Sequence, residues 1–143
     1  MPTQDSAGLK TRAAQRDASK RATYDLLRSK KRAEQELTFS IDTANGKEEV
    51  TFLFRSIGSQ EYDALLSKNP PKNDQKAEGA TYNIHTFAPA LLAEVCVEPA
   101  MSSGEWRDIW DSPDWNRGEV MDLFFAAVNL CNQGMVIPPT ASA

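Results

Sequence analysis

The stretch MSSGEWRDIWDSPDWNRGEVMDLFFAAVNLCNQ, residues 101–133, decides the fold, because it reads as two capped helices in tandem. Ser102 stands three residues before Glu105, the spacing of a capping box, in which each side chain satisfies a free backbone N–H of the first turn. The helix this opens, 102–111, carries Trp106, Ile109 and Trp110 at i, i+3 and i+4. These three share one face, and Arg107, Asp108 and Asp111 take the other. Ser112-Pro113 stops it, since the residue before proline is pushed out of the α region. Asn116 and Glu119 repeat the box and open a helix over 117–131. On that helix Val120, Met121, Phe124, Phe125 and Val128 form one apolar stripe, and Leu123, Ala127 and Leu130 form a second. A helix apolar on nearly all sides is either central to a core or shared with a partner. Gly134 suits the left-handed residue that follows a helix, and 134–143, with Pro138-Pro139, is expected to leave the fold as a flexible tail.

Upstream of this pair, 86–97 reads as a helix with Thr86 as cap. Pro89 falls in its first turn, where the missing N–H costs little, and Phe87, Leu91, Leu92, Val95 and Cys96 face inward. Glu98-Pro99 ends it. Residues 72–79 are polar and without periodicity, which predicts a mobile surface loop. Residues 59–67 predict a short helix capped by Ser59, with Tyr62, Leu65 and Leu66 inward and Asn69-Pro70-Pro71 as its stop.

Residues 35–57 carry the β signal. Leu37, Phe39 and Ile41 alternate with Glu36, Thr38 and Ser40. Val50, Phe52, Phe54 and Ser56 alternate with Thr51, Leu53, Arg55 and Ile57. Asn45-Gly46 between them is a strong hairpin signal, because both residues tolerate positive φ. Two strands alone are barely stable, so the hairpin must lean on helices or on another subunit. The expectation is an α+β fold: a basic helical or flexible arm over 1–34, then one domain over 35–133 that joins the hairpin to a small, mainly helical bundle.

Charge is split along the chain. Residues 1–36 hold nine Lys/Arg against five Asp/Glu, and the remainder holds seven against fifteen. An acidic body argues against nucleic acid as a partner. The arm has good intrinsic helix propensity over 12–34 but a thin apolar face of Tyr24, Leu26 and Leu27. It suits contact with an acidic surface, including that of a sister subunit. No apolar run is long enough to span a membrane, and no secretory hydrophobic segment is visible, so a soluble intracellular protein is expected. Cys96 and Cys131 read as buried free thiols without a metal signal.

No set of residues reads as catalytic. His85 is the only histidine, and Cys96 would lie at the far end of its helix, about 16 Å away at 1.5 Å per residue. Asp108, Asp111, Asp114, Glu119 and Asp122 do not have calcium-loop spacing and read as a solvated acidic rim able to steer a basic partner. Gly104 has no lysine partner for a phosphate loop. The chain is therefore not expected to be an enzyme or to carry a cofactor or metal. Three tryptophans within ten residues stand out. Trp106 and Trp110 read as core. Trp115 reads either as a staple packed on Val120 or as an exposed anchor.

Taken in order, several short motifs resemble one family. They are Phe52-Leu53-Phe54-Arg55, then Glu61-Tyr62-Asp63-Ala64-Leu65-Leu66 and Asn69-Pro70-Pro71. Asn83, Thr86-Phe87, Leu91-Leu92 and Glu98-Pro99 follow. Ser102-Ser103-Gly104-Glu105-Trp106 and Trp115-Asn116-Arg117-Gly118-Glu119 complete the order, with the last helix ending near Asn129. Over 38–132 this order resembles the tail assembly chaperones of long-tailed bacteriophages, especially those of actinobacterial hosts. The resemblance implies a partner, the tape-measure protein, which such chaperones keep soluble while the tail tube assembles. It also implies a second partner, a longer form of the same chain made by ribosomal frameshifting. A homo-oligomer is expected, acting in the host cell cytoplasm and absent from the mature virion, with no nucleic acid or membrane bound. The partner-binding residues expected are Trp106, Ile109, Trp110, Trp115, Leu123, Phe124, Ala127 and Leu130. The alternative is a virion structural protein, such as a tail-completion or head–tail connector subunit.

Overall fold

The computed structural model describes residues 19–136. The chain divides into two compact units, residues 32–133 and residues 1–31 with 134–143. The boundary falls earlier than the expected 34/35, because Ser56 N donates to Ala33 O at 2.9 Å and Arg32 lies 3.9 Å from Glu61. In the smaller unit the described helix is short: α1, Tyr24–Arg28, opened by Thr23, whose Oγ1 accepts from Leu26 N at 3.1 Å. Residues 12–18 of the expected arm helix, and the tail from 137, lie outside the described residues.

The larger unit is α+β. Strands β1 (Glu34–Thr43), β2 (Gly46–Arg55) and β3 (Cys96–Glu98) form one antiparallel sheet in the order β1-β2-β3. Five helices pack with it: α2 (Ser59–Ser67), α3 (Asn73–Ala77), α4 (Ile84–Val95), α5 (Ser103–Asp111) and α6 (Arg117–Asn132). The hairpin register places Leu37 opposite Phe52 and Phe39 opposite Val50, so the alternation expected from sequence sets one apolar face inward. The turn differs from the expected pair of positive-φ residues. Among the described residues only Gly46 (+105°) and Gly79 (+90°) have positive φ, so Asn45 does not. Thr43 takes over part of the turn: its Oγ1 accepts from Asn45 N at 3.1 Å and lies 2.9 Å from Gly46 O.

The third strand was not legible as one. Cys96 and Val97 continue an apolar helical pattern, yet Cys96 turns extended, with ψ at 116°. Glu98 precedes Pro99 and is barred from the helix, Val97 is β-branched, and β2 offers a free edge. Glu98 pairs with Leu53 and Cys96 with Phe54, and a register shift accommodates Val97 between them.

Helix ends also moved. The cap of α4 is Asn83 and not Thr86; Asn83 Oδ1 accepts from His85 N at 3.1 Å. Pro89 therefore sits in the second turn, where it removes the donor that the His85 carbonyl would otherwise meet. Ser59 is the first residue of α2 and not its cap, a position held by Gly58, whose N donates to Glu61 Oε1 at 3.2 Å. The expected loop 72–79 contains α3, closed by Lys72 N donating to Gln75 Oε1 at 2.7 Å. Gly134 is not left-handed; Gln133 ends α6 in extended backbone, with ψ at 140°. The two sequence-predicted capping boxes form as expected. Ser102 and Glu105 close theirs at 3.1 and 2.9 Å, and Asn116 and Glu119 close theirs at 2.9 Å in both directions.

The core centres on α4. Phe54, Phe87, Leu91 and Val95 have no exposure, and Phe124 has 1%. Phe87 joins the layers through ring contacts with Tyr82 (4.9 Å), Tyr62 (5.7 Å) and Phe124 (5.9 Å). Asn83, the one buried polar residue among the described residues, ties three helices. Its N donates to Asn69 O at 2.9 Å after α2, its Oδ1 accepts from Gln75 Nε2 at 3.1 Å in α3, and it caps α4.

Candidate partner-binding groove

Strands of ten residues run about 33 Å, more than the short helices behind them can cover. The half of the hairpin nearest Arg55 joins the core through Phe54, with α6 against β2. The half nearest the turn does not close onto α5 and α6, and a groove remains between them. One stretch of it is a cavity of about 250 Å³. Its walls are Ile41, Val50 and Phe52 from the hairpin, Pro99 and Met101 from the link, Trp106 and Ile109 from α5, and then Trp115 and Leu123. A second stretch of about 130 Å³ shares Ile41, Phe52, Trp115 and Leu123 with the first, and adds Glu119 and Asp122. A third, of about 380 Å³, lies toward the hairpin tip and brings in Asp42 and Asp114. The groove thus has an apolar floor and an acidic rim. Only Asp42 has a cation close by, Lys47 Nζ at 3.7 Å, among the described residues.

Trp115 lines all three stretches, and local backbone chemistry puts it there. Ser112 Oγ accepts from Asp114 N at 3.1 Å, and Ser112 O accepts from Trp115 N at 3.2 Å. This tight turn, fixed between two boxed helices, presents the indole to the hairpin. Trp115 is partly buried, packs against the core and also lines a cleft with Val120.

The expected partner-binding residues separate into two groups. Trp106, Leu123, Phe124, Ala127 and Leu130 are at most 3% exposed, so they build the core and the groove wall and offer a partner almost no surface. Ile109, Trp110 and Trp115 keep some surface. Trp110 faces an adjoining cleft, of about 250 Å³, with His85, Arg117 and Met121, which Trp115 also borders. The two-sided stripe on α6 resolves into a buried face and a single well-exposed ring, Phe125, at 51%. Sequence reasoning missed Ile41, Val50, Pro99 and Met101. The available signal was the length of the alternating pattern: six inward apolar residues on two ten-residue strands exceed what helices of nine residues cover.

His85 Nδ1 accepts from Trp110 Nε1 at 3.2 Å, which commits that lone pair and leaves any ring proton on Nε2. Burial pushes the Cys96 thiol up to about 11 and raises that of Cys131, so both stay protonated and are poor nucleophiles near neutrality. Among the described residues no group of His, Cys, Asp or Glu could hold a metal ion, and no helix is long and apolar enough to cross a membrane. Comparison of the chain with family models, curated proteins and solved structures finds no match.

Proposed function

We propose that this chain is a non-enzymatic tail assembly chaperone of a long-tailed bacteriophage. In this reading it works in the host cell cytoplasm, binds the tape-measure protein, and is left out of the finished virion. The resemblance of the ordered motifs is one support. The observation that carries the reading is the acid-rimmed apolar groove around Trp115. A long, aggregation-prone helical client needs its apolar side chains covered without being locked in place, and an open groove flanked by charge does both. Ile109 and Trp115 supply the grip, and the longer, frameshifted form of the chain joins the same assembly.

The test is coexpression with the tape-measure protein of the same phage, followed by affinity purification and mass measurement. The expected result is a soluble complex with several copies per client, an insoluble client when expressed alone, and loss of the complex on Ile109→Asp. A client equally soluble alone, and never copurified, refutes the reading.

A second reading rests on a different observation. β1 forms the outer edge of the sheet over ten residues, a template for strand pairing between subunits of an ordered ring. A virion structural subunit would use it, and finding the chain in purified virions decides for that alternative.

A further inference from the structure

We propose that the groove selects one kind of client segment: a run of large apolar residues with lysine or arginine beside it. The inference rests on the chaperone reading and names the part of the client that is held.

Floor and rim ask for different chemistry. The stretch of about 250 Å³ is bounded by apolar residues, among them Ile41, Val50, Met101, Ile109 and Trp115. A dry cavity of about 150 Å³ already admits benzene. The larger stretch therefore has room for a leucine or phenylalanine side chain, and the neighbouring one of about 130 Å³ for a smaller apolar group.

At the edge of this floor stand Asp114, Glu119 and Asp122, all exposed. Among the described residues the ion-paired cations are Arg32, Lys47, Arg55 and Arg107, and none of them pairs with these three acids. Arg117, the basic residue between Asp114 and Glu119 in sequence, lines the adjoining cleft and none of the three stretches of the groove. The rim is thus a set of negative charges that the protein leaves without close cations. Lysine and arginine suit it twice over: their aliphatic stems lie along an apolar floor while their charged ends reach a carboxylate. An acidic segment of the same apolar content would be turned away by like charge.

The test adds synthetic peptides to the full chain. All share a leucine–phenylalanine centre, and they end in lysines, serines or glutamates. Titration calorimetry is expected to rank affinity in that order, with about tenfold between first and last and a gap that narrows as salt is raised. The triple variant Asp114→Asn, Glu119→Gln, Asp122→Asn neutralises the rim at exposed positions, and a glutamine at 119 keeps the capping box with Asn116. It is expected to bind the lysine and serine peptides equally, with the serine peptide unchanged from the unaltered chain. Ile109→Ser is expected to weaken all three, which places them on the floor. Equal binding of the three peptides by the unaltered chain overturns the proposal. So does a lysine preference that survives in the triple variant. So does the absence of any binding, the result if the chain's own basic residues or a second copy fill the groove. The chaperone reading is judged separately, by copurification of the tape-measure protein: a client that copurifies while the three peptides bind alike keeps the chaperone and removes the selectivity.

Discussion

The two ends of one hairpin have opposite fates. At the end nearest Arg55, Phe54 is wholly enclosed, with α6 against its strand and β3 beside it. At the end nearest the turn, Ile41 and Val50 belong to the same alternating pattern and point to the same face, yet they border a groove. Strand chemistry is identical at both ends; what differs is whether a helix is long enough to reach. Stability and binding capacity are thus divided along a single element by the lengths of its neighbours.

The division is sharpest if tested by truncation at each end. Phe54→Ala, at the enclosed end, is expected to cost ~3–5 kcal/mol in chemical denaturation, whereas Ile41→Ala at the open end costs under about 1 kcal/mol. Equal losses at the two positions would mean that the open end is also a core. Asn83→Ala removes the side-chain bonds to Gln75 Nε2 and to His85 N, while the backbone bond to Asn69 O stays, and is expected to cost about 2 kcal/mol by the same measurement. The enclosed end also has a pH signature. The ordinary thiol value is 9.0 and burial raises that of Cys96 to about 11. Below about pH 9 both folded and unfolded chains keep this proton. Between the two values the unfolded chain gives it up and the folded chain does not, so stability falls as pH rises through that window. A thermal midpoint that declines there, with the decline reduced in Cys96→Ala, is the expected outcome. The smallest effects test the caps: Ser102→Ala should cost about 1 kcal/mol, and Ser59→Ala, which removes no cap, should stay within about 0.5 kcal/mol.

Much of this arrangement is legible in the sequence wherever the signal is local. The boxes at Ser102–Glu105 and Asn116–Glu119 are four-residue devices that need no tertiary context, and both form. Strand alternation likewise predicted the inward face. What was not legible depends on distant partners. Cys96-Val97 becomes a strand because β2 has an edge to share, and Asn83 becomes a cap because Gln75 and Asn69 converge on it. The groove was half legible. Ile109 and Trp115 follow from helix periodicity and from a crowded tryptophan segment, but the hairpin wall follows only from a mismatch in element lengths.

The three tryptophans form a graded optical series. Trp106 is 2% exposed, and its Nε1 has no acceptor among the described residues; Trp110 is tied to His85; Trp115 borders the groove. Two of these indoles, Trp106 and Trp115, line the groove, so the protein's intrinsic fluorescence should respond when the groove is filled. A molecule with Trp110→Phe would then report its own occupancy by the colour and quenching of its light, with no dye attached.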